Sequence, residues 1–162
     1  MDVTRIFMFN AAYDRIAVLL RAYKNHKEFG NQRVLVLPGG KVDPGESIIA
    51  GARRECMEEI GIDPGYLNHA VTLTGENERK HHFLVAMPKS DLHPLGYTGT
   101  PRIKELEKFS GPLRWIRPTT FGKYCRSADA IPGANIEEAI LAIHKVAANN
   151  AHAWYTMRHT HG

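Results

Sequence analysis

From Val3 to Phe9 the chain is dense in β-branched and aromatic residues, and Arg15 to Ala22 forms a second apolar run, with Asn10 to Asp14 between them. Residues of this kind suit a pleated, half-buried surface, so the two runs predict a pair of strands with a short connection. Tyr23 to Gln32 is polar and closes on Gly30-Asn31, which predicts a loop. Val34 to Leu37 then reads as a short buried strand stopped by Pro38-Gly39-Gly40. Asp43-Pro44-Gly45 is turn chemistry, and Ser47 to Ile60 runs without proline into Gly61, placed where a helix C-terminus favours a left-handed residue. This predicts a central helix.

Val71 to Thr74 and His82 to Met87 read as further strands, followed by a Pro- and Gly-bearing stretch over 88–112 and a last strand over Leu113 to Ile116. Asn135 with Glu138 three residues on resembles a capping box, opening a helix through about Ala148 with Ile136, Ile140, Ile143 and Ala147 on one face. Strands with one mid-chain and one late helix predict an α/β class with a mixed sheet between helices.

Length and composition narrow the setting. A chain of 162 residues with 43% hydrophobic content is sized for one domain over 1–162, with 149–162 expected as a loosely packed tail. No stretch is long and apolar enough to span a bilayer, and the first residues lack a secretory layout, so a cytoplasmic location without a membrane partner is expected. Cys56 and Cys125 do not form a disulfide framework and are expected to be reduced thiols. The net charge is +4, yet residues 40–62 hold three basic against five acidic groups, leaving −2 there and +6 elsewhere. An acidic spot in a basic protein suits a cation site that attracts an anionic ligand, although solvated surface lysines explain the balance about as well. No block of like charges supports a nucleic-acid partner.

At helical spacing Glu55, Glu58 and Glu59 fall on one face, beside an apolar arc of Ile49, Ala52, Cys56 and Ile60. Like charges at these spacings repel by a few tenths of a kcal/mol per pair, so the cluster costs stability unless cations neutralise it. A solvated acidic face is the bland alternative. The wider pattern decides between them: Gly40 is followed by Glu46 and then by Arg54-Glu55-Cys56-Met57-Glu58-Glu59-Ile60-Gly61-Ile62. Gly40 to Ile62 closely resembles the box of the Nudix hydrolases. Seven specified types at these spacings coincide by chance at a given position with a probability on the order of 10⁻⁸, which removes chance as a competitor. Cys56 stands where the family usually has a branched aliphatic residue, and a buried thiol packs as a small hydrophobe.

The resemblance implies a Nudix-like α/β/α sandwich with a mixed β-sheet between helices, and Mg²⁺, with Mn²⁺ a substitute, held by Glu55, Glu58, Glu59 and the Gly40 carbonyl. It implies Glu55 or Glu58 as the base, with Arg54 holding a box glutamate in place and Glu46 bracing the loop. Gly39, Gly40 and Arg21 are the substrate-binding candidates, with Lys80 and Arg102 as further phosphate contacts. A fourth acidic ligand is sought at Glu105 or Glu107, or at Glu76 or Glu78. Gly51 lies on the acidic arc one turn before Glu55, which fits either a close approach by phosphate or tight packing. The histidines of the tail, His152, His159 and His161, lack metal-ligand spacing, and Trp154 and Tyr155 are expected to pack the tail onto the domain.

The implied activity is hydrolysis of a pyrophosphate linkage in a nucleoside diphosphate linked to a moiety X, favouring a nucleoside or deoxynucleoside triphosphate. The alternative is a nucleotide sensor on the same fold without hydrolysis. The expected partner is a small nucleotide, and a homodimer is compatible with the chain.

Overall fold

The computed structural model describes residues 1–10, 14–27, 30–75, 78–86, 109, 113–118, 120, 141 and 145. Six strands and one helix lie within them: β1 (Asp2–Met8), β2 (Ile16–Ala22), β3 (Arg33–Val36), α1 (Ile48–Ile60), β4 (Leu67–Thr74), β5 (Lys80–Ala86) and β6 (Arg114–Ile116). The expected stretch over 88–112 lies outside the described residues except for Phe109. The expected late helix lies outside them except for Leu141 and Lys145, and the tail lies outside them altogether.

The strands form two three-stranded sheets, β1-β5-β4 and β3-β2-β6. The first is mixed, since β1 runs parallel to β5 (Asp2 opposite Lys80, Met8 opposite Ala86) while β4 runs antiparallel to it. The second is antiparallel throughout. The pair expected between the first two strands is confined to one bridge, Phe9 to Ile16. The reason is competition for an edge. The free side of β1 is taken by residues 38–42, through Thr4 N to Gly40 O (2.8 Å), Ile6 N to Pro38 O (2.8 Å) and Val42 N to Asp2 O (3.0 Å). Asn10 then turns the chain, its Oδ1 accepting from the amides of Asp14 and Arg15 at 3.0 Å each.

β4 starts four residues before the expected strand. A register shift between His69 and Val71 breaks the alternation there, so Leu67, 4% exposed in the core, does not read as part of the same strand from sequence.

The helix follows its local signals. Ser47 is extended (φ −73°, ψ 159°) and its Oγ accepts from Ala50 N at 3.1 Å, while Gly61 is left-handed (φ 68°) and donates to Met57 O at 3.0 Å. Its inner face buries Ala52, Cys56 and Ile60 against Ile6, Met8, Leu67, Leu84 and Ala86. Ile49, expected on that face, is 40% exposed, and Ile48 packs against the core in its place. On the other side of the sheets Phe7, Phe9, Ile16, Val18, Leu37, Phe83 and Val85 form a second cluster. No helix among the described residues is long and apolar enough to cross a membrane.

Candidate active site

The acidic face of α1 meets the glycine loop that lies along β1. Glu59 is buried, at 5% exposed, and accepts the Gly39 N–H at 2.7 Å. The Glu55 carboxylate rests against Gly40, where an added Cβ would stand 2.6 Å from its carboxyl carbon. Gly39 has φ +139°, and a Cβ there would stand 2.1 Å from the Thr4 carbonyl oxygen. Gly39 therefore requires glycine, for its backbone angle and its approach to the Thr4 carbonyl, while at Gly40 the Glu55 carboxylate takes up the space a side chain would need.

Glu58 shares an Arg54 nitrogen with Glu55. Its side chain is half exposed, and Arg54 Nη1 donates to its two oxygens at 3.3 and 3.2 Å. Arg54 is a hub: its Nε donates to Glu46 Oε2 at 2.9 Å, and its Nη2 donates to Glu46 Oε1 at 3.0 Å and to the Lys41 carbonyl at 2.9 Å. Nη1 also reaches Glu55 Oε1 at 3.2 Å, and Asp43 lies 3.4 Å from Nη2. The Glu46 hydrogen bonds raise the Arg54 pKa further above its already high value, and the same bonds hold the Glu46 carboxyl below the usual range. The main partner of Arg54 is thus Glu46, with the box glutamates sharing its remaining nitrogen. Glu46 in turn accepts the Asp43 N–H at 3.0 Å, which ties the turn before the helix to the helix itself.

Glu55, Glu58 and Glu59 share a helix face, but among the described residues no three acidic, imidazole or thiol side chains are grouped to hold a metal ion. Arg54 Nη1 bridges Glu55 and Glu58 at 3.2 Å each, and the Gly39 amide holds Glu59. The Gly40 carbonyl accepts from Thr4 N at 2.8 Å and from Thr4 Oγ1 at 3.2 Å. Gly51 is settled by packing: a Cβ would meet Glu46 Oε1 at 2.9 Å and both Val42 methyls at 3.2 Å.

Arg21 lies opposite Val34 on β2, with its guanidinium 4.8 Å from the centroid of the Tyr23 ring. Lys80 is exposed, at the start of β5 opposite Asp2, and Glu78 sits in the turn before β5 with φ 59°. Arg102, Glu76, Glu105, Glu107, Cys125, His152, Trp154, Tyr155, His159 and His161 lie outside the described residues.

The sequence reading did not single out Thr4, a strand residue whose polar atom is fully buried, nor a polar row on the same sheet face. In that row His82 Nε2 donates to Asp2 Oδ1 at 2.8 Å, His82 Nδ1 lies 2.9 Å from Thr72 Oγ1, and Thr72 Oγ1 lies 2.7 Å from His69 Nε2. The hydrogen bond from His82 lowers the Asp2 pKa. A polar residue among the apolar positions of a strand would have been the signal for either.

Comparisons with known proteins bear on the family and the fold. The family model of the NUDIX domain matches residues 1–131. The MutT protein of Methanosarcina mazei Go1 is 20% identical, with a TM-score of 0.55, over 93% of this chain and 94% of that one. The MutT NUDIX hydrolase of Burkholderia pseudomallei is 19% identical, with a TM-score of 0.51, over 74% of this chain and 85% of that one. A structure described as an ADP compounds hydrolase is 20% identical, with a TM-score of 0.58, over 92% and 74%. No curated protein matches the chain. Structural likeness at this identity speaks for the α/β fold, and the family match over most of the chain, on a helix and glycine loop that carry the whole box, places the protein in the Nudix family of pyrophosphohydrolases.

Proposed function

We propose that this protein hydrolyses the pyrophosphate linkage of a nucleoside diphosphate joined to a moiety X, with a nucleoside or deoxynucleoside triphosphate as the first substrate class, and that it does so with Mg²⁺, for which Mn²⁺ substitutes. The observation that carries the reading is the seating of two box carboxylates, Glu55 and Glu59, on the consecutive glycines Gly40 and Gly39. This gives one side of the loop a set of hard oxygen donors, the chemistry a small divalent cation selects.

The residues proposed to hold the metal are Glu55, Glu58 and Glu59, with a glycine carbonyl. Of the two carbonyls we favour that of Gly39. Pro38 O and Gly40 O both accept from β1, and among the described residues nothing donates to Gly39 O between them. When bound, Mg²⁺ supplies charge neutralisation on the phosphate oxygens and lowers the pKa of a coordinated water. The chain's own contribution is positioning. Arg54 and Glu46 fix the start of α1 against the loop, and Gly39 and Gly40 let phosphate and carboxylate approach the backbone without a side chain between them. Glu58 is favoured over Glu55 as acceptor of the water's proton, because its side chain is half exposed, whereas Glu55 is largely buried against Gly40.

The test is phosphate and pyrophosphate release from nucleoside triphosphates, nucleotide sugars, ADP-ribose and dinucleoside polyphosphates, with and without Mg²⁺. Turnover of one class that needs the metal and falls at least ~100-fold in Glu58→Gln and Glu59→Gln is expected, the range seen when a general base or a charge-stabilising group is lost. Silence across the panel with nucleotide binding retained would replace the enzyme by a nucleotide sensor.

A further inference from the structure

We propose that Thr4, on β1 and outside the box, is a positioning residue that locks the orientation of the Gly39–Gly40 peptide. The proposal rests on the reading of Gly39 as the residue whose carbonyl faces the reacting groups. Thr4 is fully buried. Its backbone N–H donates to Gly40 O at 2.8 Å, and its hydroxyl lies 3.2 Å from the same oxygen and 3.3 Å from Gly40 N. The hydroxyl therefore accepts the Gly40 N–H and donates to the Gly40 carbonyl, engaging both polar groups of one residue. Among the described residues it is the acceptor of the Gly40 N–H.

A trans peptide makes this consequential. The N–H of Gly40 and the C=O of Gly39 belong to one planar unit and point in opposite directions, and the described chain has no cis peptide. With the N–H held toward Thr4, the Gly39 carbonyl is turned away from β1. Two consecutive glycines are the pair least able to resist a peptide flip by themselves, because neither has a Cβ to forbid the alternative angles. Gly39 already sits at φ +139°, with its own N–H on Glu59. Valine would fill nearly the same volume and favour a strand equally, so the hydroxyl is what distinguishes threonine here.

The experiment compares wild type with Thr4→Val and Thr4→Ser in the full chain. Thr4→Ala serves as a second hydroxyl-free variant, and near-UV circular dichroism confirms the fold. Hydrogen exchange of the Gly40 amide, followed by NMR without metal, is expected to be about tenfold faster in Thr4→Val and Thr4→Ala and close to wild type in Thr4→Ser, as for loss and retention of one partly buried hydrogen bond. With the hydrolysed substrate, kcat falls about tenfold in the hydroxyl-free variants while KM stays within about twofold, and serine restores it. Unchanged Gly40 exchange in folded hydroxyl-free variants, or a serine variant as impaired as valine, overturns the proposal. Should the wild type hydrolyse nothing, the exchange result still decides the role of Thr4, so its failure is separable from that of the proposed activity.

Discussion

Replacing Gly51 by alanine sets two effects against each other. In a solvent-facing helix position alanine is worth about 1 kcal/mol over glycine, so helix propensity alone predicts a more stable protein. Gly51 is buried, however, and the new Cβ would stand 2.9 Å from Glu46 Oε1 and 3.2 Å from each Val42 methyl. The carboxylate cannot easily withdraw, because the same oxygen accepts from Asp43 N and Arg54 Nη2 at 3.0 Å each. Overpacking of this kind costs roughly 1–3 kcal/mol, which outweighs the propensity gain and leaves a net loss of about 1 kcal/mol. For a chain of this length that lowers Tm by about 2–4 °C. Urea and thermal unfolding of wild type, Gly51→Ala, Val42→Ala and the double variant provide the assay. Removing the valine methyls opens space for the Cβ, so a favourable coupling of about 1 kcal/mol is expected between the two substitutions. A Gly51→Ala protein with a raised Tm, or strict additivity with Val42→Ala, would refute the argument that packing rather than propensity fixes this glycine.

Other positions are tested by the same logic. Gly39→Ala should unseat the loop, since it combines a backbone angle closed to alanine with a collision at the Thr4 carbonyl; a loss of at least ~2 kcal/mol in urea is expected, with turnover abolished. Arg54→Lys keeps the charge but loses the paired donors on Glu46, so kcat should fall about tenfold or more while Tm moves by only a few degrees, as kinetics and melting will show. Burial first, then the charges of Glu59 and Asp63, push the Cys56 thiol up to about 12 from 9.0. The folded state therefore favours the neutral thiol, and this contribution is present below pH 9 and lost as pH rises toward 12. Between pH 8 and 11 the wild type should lose about 2–3 kcal/mol more than Cys56→Val in urea titrations, and equal slopes would contradict the burial argument.

The helix and the box could be read from the chain because their signals are local. Ser47, the proline-free run and Gly61 specify α1 within a few residues, and the glutamate spacing is a property of that run alone. What escaped depends on partners distant in sequence. β1 and β2 both read as strands, but nothing within either announces that residues 38–42 claim the β1 edge and reduce their pairing to Phe9 and Ile16. The wheel put Glu59 among the carboxylates, yet its burial is decided by the Gly39 amide twenty residues earlier. Ile49 and Ile48 differ by one step of the wheel, and the direction from which the sheet approaches chooses Ile48. Thr4 passes for an ordinary strand former until the loop it faces is known.

The parallel pairing of β1 with β5 ties residues 78 positions apart along its whole length. Contacts that distant are slow to form, because closing the intervening loop must precede any gain from the ladder. The glycine loop docks on the opposite edge of the same strand, so the loop acquires its fixed backing only after most of the described chain has been made and folded. Partly folded chains, and variants that loosen the β1–β5 ladder far from the box, should therefore keep the helix and its glutamates yet present them without an ordered loop. Activity becomes a late reporter of folding, lost before helicity when β1 is weakened and regained after it on refolding.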